Sequence, residues 1–490
     1  MFPEDTAGPL PGRGARWGVL AGLTLVTFLL LVDDTAVAVA LPSIQEQLGI
    51  GFESLQWAVN AYTLAIAAFT LLAGRLADRN GPRPIFLIGL AVFIAGSFGA
   101  GLAFNAATLI AFRVVQGVGA ALVAPSALAL IAVTFSSKQR GLALGIWAGV
   151  SASALGIGPL FGAVLNDSVG WRWIFLLNLP LGAGAWLVAR LVLPKSRVKA
   201  SSVRLDLLGA FLSAAGLVGL IFVLSELTNA DWTSWQVILR TGLTVVLLGL
   251  FLIHESRTRD PLVDLALFRN RSFTGANLVT LLATAVMCSL FFFLALYLQT
   301  VLGLSALAAG ASLLPLTVTI VVVAPLSGGL SDRFGARALV ATGMLVLAAA
   351  LLGLGTLGLY SSVASLMLWL ALAGLGIGLA RTPTTAAALG AVDGSKYGTA
   401  AGVYNTFQAT GLAVGIALMG AILTSFGPDA AFDRDFDAAH HAAFRDGLSM
   451  ALTINSGIAA VAAVLAAVLL RSRLQSPPAA KTTSMAAPKP

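Results

Sequence analysis

The feature that most constrains this chain is a succession of apolar stretches, each about 20 residues long, separated by short polar breaks. A helix needs about 20 apolar residues to cross a hydrocarbon core about 30 Å thick, so this pattern is typical of membrane-spanning helices. Hydrophobic residues make up 58% of the 490 residues and charged residues only 10%. Because a water-soluble chain of this composition would expose large apolar patches, we expect an all-α integral membrane protein.

The hydropathy pattern predicts fourteen membrane-spanning helices. The first apolar run is longer than the apolar core of a signal peptide, about 7–15 residues, so we interpret it as a retained helix. The predicted helices lie near 17–40, 52–74, 84–104, 106–134, 141–165, 172–193, 206–227, 235–254, 272–300, 307–330, 337–359, 362–388, 397–425 and 446–470.

Lysine and arginine concentrate in every second break between these helices, and the other breaks carry mainly acids. By the positive-inside rule, the basic breaks and both termini face the cytoplasm, and the chain is a multi-pass protein of the cell membrane. The net charge of +8 therefore reports membrane topology and not the binding of nucleic acid.

A ten-residue segment in one predicted cytoplasmic turn occurs twice. The letters G-R-L-A-D-R-N-G-P-R, from Gly74, recur as G-G-L-S-D-R-F-G-A-R, from Gly328, with a shift of 254 residues. Such a repeat indicates a duplicated helix bundle. Eight predicted helices separate the two copies. In a bundle of two six-helix halves, equivalent positions would be six helices apart, so two helices are inserted between the halves. The residues of interest in the two turns are Gly74, Asp78, Arg79, Gly81, Arg83, Asp332, Arg333 and Arg337.

The predicted organisation follows from the repeat and the helix positions. It consists of a cytoplasmic N-terminal segment (1–16), an N-terminal six-helix half (17–195), two inserted helices (206–254), a C-terminal six-helix half (272–471) and a disordered cytoplasmic tail (472–490).

Several motifs resemble those of the major facilitator superfamily. The repeated turn is similar to its loop signature G-x-L-a-D-r-x-G-r-R, and the segment from Leu109 to Ala121 is similar to its helix 4 motif l-x-x-x-R-x-x-q-G-x-g-a-a. Helix 5 resembles the antiporter motif G-x8-G-x3-G-P-x2-G-G, although Ala154 and Ala163 replace two of its glycines. The matching residues in helix 5 are Gly145, Gly158, Pro159 and Gly162.

Three further segments resemble the fourteen-span drug:proton antiporters of that superfamily: D-D-T-A-V-A-V-A-L-P from Asp33, W-R-W-I-F-L-L-N-L-P-L-G from Trp171, and L-Y-L-Q from Leu296. The resemblance implies two pseudo-symmetric six-helix halves plus two inserted helices. It also implies proton-coupled efflux of drug-like molecules by alternating access. The repeated turns would then form a charge contact that stabilises the outward-facing state, the alternative being ordinary turns that set topology.

Three ionisable side chains are predicted within the membrane: Asp33 and Asp34 in helix 1 and Arg113 in helix 4, each about 10–12 Å below the outer helix end. Burial favours the neutral form of an acid and a guanidinium favours its charged form, so small movements can switch protonation. We hypothesise that Asp33 binds the proton or a cationic substrate in alternation. The alternative is a purely structural buried pair, with Asp34 facing a water-filled vestibule.

A drug pocket should be apolar with a few polar groups that orient the ligand. Arg381 in helix 12 is expected to extend to the membrane surface, with substrate contact as the alternative. The single cysteine, Cys288, is expected to be a packing residue. Side chains that could orient a ligand are Trp57, Asn60, Tyr62, Gln116, Tyr297, Gln299, Asn405 and Gln408, each of which could instead anchor or join helices.

The sequence lacks a G-x-x-x-x-G-K-[ST] phosphate loop and a G-x-S-x-G nucleophile motif, so we expect neither ATP-driven transport nor an enzyme, and no cofactor or metal. The expected partners are protons, the lipid bilayer and lipophilic small molecules, cationic ones included. Three alternatives remain open: an exporter dedicated to one natural product, a proton-coupled importer, and a non-transporting membrane sensor.

Overall fold

The computed structural model describes residues 13–193, 205–226, 234–304, 306–356, 363–425 and 438–471. Residues 1–12 and the predicted disordered tail, 472–490, lie outside this part. Sixteen α-helices occur in it: α1 Arg13–Leu48, α2 Phe52–Asn80, α3 Pro82–Gly101, α4 Ala106–Thr134, α5 Ser137–Ser168, α6 Arg172–Leu176, α7 Asn178–Val192, α8 Leu207–Glu226, α9 Trp235–Arg257, α10 Arg271–Thr300, α11 Ala306–Ser312, α12 Leu314–Phe334, α13 Ala336–Gly355, α14 Val363–Gly390, α15 Tyr397–Ser425 and α16 Ala438–Leu469.

The described helices include thirteen that are long and apolar enough to cross a membrane, and fourteen when the bent pair within α5 counts as one span. The short α6 and the following α7 together form one of these spans. The all-α fold with fourteen spans, expected from the sequence, is confirmed. With an even number of spans, α1 begins and α16 ends at the same side of the bundle, which we call the terminal face.

The bend in α5 has a local cause. The two parts of this helix, Gln139–Ala154 and Ile157–Ser168, meet at an angle of 41°. Pro159 follows one turn later in the same helix. Its nitrogen cannot donate to the carbonyl of residue 155, and its ring pushes that carbonyl away, which bends a helix at this position.

The helices pack in two groups. In the first group, α1–α7, the main contacts are α1 on α5, α2 on α4 and α3 on α4. In the second group, α10–α16, they are α10 on α15, α12 on α14, and α13 on both α14 and α16. The two groups meet through α5 on α12 and α2 on α15. Smaller contacts between the groups join α4 to α15 and α5 to α14.

The helices α8 and α9 lie beside both groups. Helix α8 packs on α2, α15 and α9, and Trp57 of α2 stacks on Phe222 of α8 with ring centres 6.1 Å apart. Helix α9 exposes large apolar side chains, for example Ile238 and Val245. In water this surface would cause aggregation, but in a bilayer it is the surface expected to face lipid.

Candidate functional site

The three charged side chains predicted within the membrane lie together between α1 and α4. Nη1 of Arg113 donates to Oδ2 of Asp33 at 3.0 Å, and Nη2 donates to Oδ1 of Asp34 at 3.4 Å. The Arg113 side chain is 1% exposed and that of Asp33 is 0% exposed, whereas the Asp34 side chain is 37% exposed. One guanidinium therefore serves two acids, and only one of these acids is accessible.

Polar side chains from three helices enclose the Asp33 carboxylate. The amide nitrogens of Asn178 and Gln116 both donate to it, the latter at 3.4 Å. The same two amides also donate to the Ser97 hydroxyl, at 3.3 and 2.7 Å. Because Asp33 points into the first group and its lone pairs are occupied, direct contact with a substrate fits Asp34 better. This differs from our hypothesis, which gave that contact to Asp33.

Arg113 is also held by groups other than the acids. Its Nε donates to the carbonyl of Ala58 at 3.2 Å, and Nη1 donates to Oε1 of Gln116 at 3.2 Å. The guanidinium carbon lies 4.2 Å from the centre of the Tyr62 ring, a distance at which a cation is attracted to the ring face. These contacts offset the cost of removing a guanidinium from water. They also fix its position relative to both acids.

The repeated turns have the same backbone geometry. Gly81 and Gly335, related by the repeat, have φ values of 90° and 83°. Side chains rarely adopt this region because a Cβ would collide with the backbone, so glycine is required at both turns. This is direct structural evidence that the two copies perform the same local task.

The first turn contacts the second helix group at the terminal face. The two oxygens of Asp78 accept hydrogen bonds from the backbone N–H groups of Gly398 and Thr399, at 2.6 and 2.7 Å. These N–H groups belong to the first turn of α15, where the helix has no internal acceptors for them. Gly74 lies against the backbone of Gly398 and Gly402, with no room for a side chain. The turn is therefore part of a contact between the groups.

The second turn makes the reciprocal contact. Gly328 of α12 lies against Gly141 of α5, where a Cβ built on Gly141 would be 2.5 Å from the Gly328 carbonyl oxygen. One turn further along α5, a Cβ on Gly145 would be 2.5 Å from the carbonyl oxygen of Ala324. Gly74 and Gly328 occupy equivalent positions in the repeat, and each faces the other helix group. The terminal face is closed by backbone-to-backbone contacts on both sides of the pseudo-symmetry.

The remaining small residues of the helix 5 motif pack within the first group. Gly158 lies against Thr35, and a Cβ on Gly162 would be 2.6 Å from the carbonyl oxygen of Ala36. Both partners belong to α1, directly after the two acids. Together with the bend caused by Pro159, this close packing sets the distance between α5 and the charged part of α1.

The bases of the turns stay near the terminal surface. Nη2 of Arg83 donates to the carbonyl of Arg190 at 2.6 Å, within the first group. The side chain of Asp332 lies outside the described residues. The other predicted bases remain at least partly exposed: Arg79, Arg333 and Arg337. Among the described residues of the two turns, Asp78 and the close-packed glycines therefore contact the other helix group, whereas the hydrogen bond of Arg83 stays within its own group.

A charged network borders α15 at the same face. Lys396 donates to Asp264 at 2.7 Å, and this bond lowers the pKa of the Asp264 carboxyl. The Arg140 guanidinium lies 5.1 Å from the centre of the Tyr397 ring, which joins α5 to the start of α15. Because the Asp264 pair is more than a third exposed, water screens it and it contributes little to stability.

The polar residues suggested for a drug pocket do not share one site. Gln116 and Tyr62 belong to the Arg113 cluster, while Trp57 packs on α8 and Tyr297 stacks on Phe444 of α16. Asn60 and Gln299 are exposed, the Asn405 amide nitrogen is buried without a hydrogen-bond partner among the described residues, and Gln408 lines a pocket in the second group together with Arg381.

Sequence reasoning missed several partners at these sites. Asn178 lies within the W-R-W-I-F-L-L-N-L-P-L-G segment, so its position was visible although its contact with Asp33 was not. Gly141, Gly145 and Gly149 recur every four residues, a spacing that indicates close helix packing and could have identified the α5–α12 contact. Ser97 carries no comparable signal in the sequence.

A test of the Asp78 contact follows from its geometry. Asn in place of Asp78 keeps one acceptor but turns an NH2 group toward a backbone N–H. We expect Asp78→Asn to reduce the population of the closed terminal face about tenfold, since a charge-assisted hydrogen bond is lost. In a Cys288→Ser background, a Thr70→Cys probe at the buried α2–α15 contact should then react about tenfold faster with a thiol reagent.

A matched control for this test is Asp393→Asn. Asp393 is an exposed acid at the same face, and its side chain makes no capping hydrogen bond. It should leave the labelling rate of the Thr70→Cys probe unchanged. Equal labelling rates for the Asp78 variant and the wild-type background would show that this contact does not hold the face closed.

Comparison with known sequences identifies relatives over most of the chain. The profile of the Major Facilitator Superfamily matches residues 23–416 and 277–490. The tetracenomycin C resistance and export protein of Streptomyces glaucescens is 33% identical over 413 residues, covering 84% of this chain and 77% of its own length. The multidrug resistance protein Stp of Mycobacterium tuberculosis is 35% identical over 416 residues, covering 83% of this chain and 75% of its own. The puromycin resistance protein pur8 of Streptomyces alboniger is 35% identical over 477 residues, covering 96% and 93%.

Solved structures with the same fold have much lower sequence identity. The human organic anion transporter MFSD10 superposes with a TM-score of 0.66 at 17% identity, covering 92% of this chain and 99% of its own. The proton:xylose symporter XylE superposes with a TM-score of 0.61 at 16% identity, covering 92% and 95%. At these identities the similarity establishes the fold alone.

Proposed function

Because this chain belongs to the Major Facilitator Superfamily, we propose that it exports drug-like small molecules across the cytoplasmic membrane in exchange for protons. The observation that carries the proposal is the Asp34–Arg113–Asp33 cluster, in which a partly exposed acid shares a buried guanidinium with a fully buried one. The names of the relatives support it, since they describe resistance to and export of antibiotics.

The proton step is assigned to Asp34. When Asp34 is charged, it shares Arg113 with Asp33, and when it is neutral, Arg113 remains paired with Asp33 at 3.0 Å. The cost of neutralising Asp34 is therefore small, because no charge is left unpaired. A cationic drug group or a proton can satisfy Asp34 in turn, which couples drug release to proton uptake.

The conformational step is assigned to the terminal face. The positive-inside pattern supports a cytoplasmic location for this face, and the contacts of Gly141 with Gly328 and of Gly74 with Gly398 would then close the bundle toward the cytoplasm. We propose that helices α1–α7 and α10–α16 are the two halves that rock against each other. Opening toward the cytoplasm then requires separation of these glycine contacts and release of Asp78 from α15.

The proposal is tested with purified protein in proteoliposomes that contain a pH-sensitive dye. Addition of puromycin, tetracenomycin C or ethidium to vesicles with an imposed pH gradient should release protons in proportion to the drug moved. Inside-out vesicles should accumulate the drug, which separates export from import. No drug-dependent proton movement with any of these compounds would contradict the proposal.

A dedicated exporter is distinguished by the range of compounds. Cells expressing the protein should show raised resistance to compounds of unrelated scaffold if the site accepts drug-like molecules in general. Protection against one scaffold alone would indicate an exporter of a single natural product, with the same proton step at Asp34.

A further inference from the structure

A small pocket with a few polar side chains lies within the second helix group, away from the acids of α1. Four helices line it: α10 with Thr280 and Met287, α13, α14 with Arg381 and α15 with Tyr404 and Gln408. Most of its other lining side chains are apolar. The cavity itself is about 30 Å³, which is room for one small polar group of a ligand and not for a whole drug molecule.

The Arg381 side chain points into the bundle and not toward the surface. Arg381 lies nine residues before the end of α14, about 14 Å from that end. Its Nη1 is 3.7 Å from Sδ of Met287, which lies near the middle of the 30-residue α10. The sequence-based expectation that Arg381 extends to the membrane surface is therefore wrong. The guanidinium faces the interior pocket because α14 turns it toward α10.

No protein anion neutralises this guanidinium within the described part of the chain. The four helices that line the pocket, α10, α13, α14 and α15, contain no aspartate or glutamate. None of the ion pairs among the described residues includes Arg381, and its one hydrogen-bond contact is with a thioether, a weak acceptor. A charge at membrane depth is costly without a partner, which marks such residues as functional.

The hydrogen-bonding groups around Arg381 select for an acceptor. The hydroxyls of Thr280 and Thr384 donate to the carbonyls one turn earlier in their own helices, and Tyr404 bonds to Thr385 at 2.7 Å. The Gln408 amide makes no hydrogen bond with the described residues. Among the described lining residues, the donors without a protein acceptor of their own are the guanidinium of Arg381, the amide nitrogen of Gln408 and the hydroxyl of Thr284, and all three suit an oxygen that carries negative charge.

We propose that this pocket binds an acidic oxygen group of the exported compound, a carboxylate, phenolate or enolate, with Arg381 as its charge partner and Gln408 as a second donor. The inference rests on the proposed function, because it assigns the anion to an exported compound. A lipid phosphate has the same chemistry but lies at the membrane surface, whereas Arg381 is about 14 Å from the end of its helix.

The test uses tetramethylrhodamine and its methyl ester, two dyes that differ only in a free carboxylate. Their binding to purified protein in detergent is measured by fluorescence anisotropy, without a proton gradient. The wild-type protein should bind the acid more tightly than the ester. Arg381→Gln should weaken binding of the acid about tenfold to a hundredfold and of the ester less than twofold, as expected for loss of a charge-assisted hydrogen bond.

Two further variants keep the test independent of folding. Arg381→Lys retains the charge and should restore part of the preference for the acid dye. Gln408→Leu should weaken binding of the acid dye severalfold. Thermal unfolding of each variant is measured in parallel. The inference is contradicted if the wild-type protein binds neither dye or binds the acid and the ester with equal affinity. It is also contradicted if Arg381→Gln weakens binding of both dyes equally. Displacement of the acid by added phosphatidylglycerol would identify a lipid site and would also overturn it.

The outcome is separable from that of the proposed function. If the acid binds in a way that depends on Arg381 but neither dye is transported with protons, the anion pocket is supported and proton-coupled export is contradicted. If both dyes are exported with protons and the Arg381 substitutions change neither binding nor transport, proton-coupled export is supported and the anion pocket is not.

Discussion

Replacing Asp34 by asparagine is expected to abolish drug-driven proton movement while leaving the thermal stability of the protein close to that of wild type. Asparagine has the size of aspartate but does not titrate, so the proton step is lost. The fold should tolerate the change because Asp34 is partly exposed and has one long contact, 3.4 Å, with Arg113, which keeps Asp33 as its partner. Proton release and drug uptake in proteoliposomes, together with thermal unfolding in detergent, measure both parts of this expectation.

The neighbouring substitution Asp33→Asn should behave differently. It removes the 3.0 Å partner of a guanidinium that is 1% exposed, and breaking a buried ion pair costs about 3–5 kcal/mol when the remaining charge is not compensated. Because Asp34 still contacts Arg113, the loss should approach the lower end of that range. Asp33→Asn should therefore lower the melting temperature, whereas Asp34→Asn should not.

The pair of variants decides which acid carries the proton. Asp34→Glu serves as a control, since it keeps a titratable group at the same position. Full proton coupling in Asp34→Asn, combined with lost coupling and unchanged stability in Asp33→Asn, would return the proton step to Asp33, as the sequence first suggested.

A single methyl group at Gly328 is expected to prevent closure of the terminal face and to reduce transport strongly. Gly328 of α12 lies against the backbone of Gly141 in α5, so the Cβ of Gly328→Ala would collide with backbone atoms that cannot rotate away. Overpacking of this kind costs about 1–3 kcal/mol, which shifts a two-state equilibrium about 5- to 150-fold. The closed state is affected and the open state is not, because the contact exists only when the groups meet.

The adjacent residue provides a matched control. A Cβ on Gly329, in the same helix, has no neighbouring atom within 4 Å, so Gly329→Ala should be neutral or slightly stabilising through its helix propensity. Distances between spin labels at Gln139→Cys and Phe334→Cys, in a Cys288→Ser background, should widen in Gly328→Ala alone. Wild-type distances and transport in Gly328→Ala would show that closure does not depend on this contact.

Much of the fold could be predicted because its signals are local. A span of about 20 apolar residues identifies a helix whatever it packs against, and the repeat of Gly74 to Arg83 revealed the duplication without knowledge of any contact. The glycine requirement at Gly81 and Gly335 also arises within the turn itself. The Asp33–Asp34–Arg113 cluster could be predicted because charges are rare enough in these helices to leave few possible partners.

The contacts between helices were harder to predict, and the reason lies in the solvent. In water, the buried face of a helix is its apolar face, but in lipid both faces are apolar and hydropathy no longer identifies the buried one. Arg381 illustrates this, since its direction depends on how α14 is rotated against α10. The partners Asn178 and Ser97 come from α7 and α3, which approach Asp33 only after the helices have packed.

The amino-acid sequence by itself determined the number of spans, the repeated turns and the set of charges within the membrane, because each depends on residues close together in the chain. Only the tertiary structure decided which of two adjacent acids is accessible. Successive residues of a helix point about 100° apart, so Asp33 and Asp34 cannot face the same surroundings. Close packing of small residues on α1 and α5 sets the rotation of α1, and that rotation buries Asp33 beside Asn178 and leaves Asp34 partly exposed.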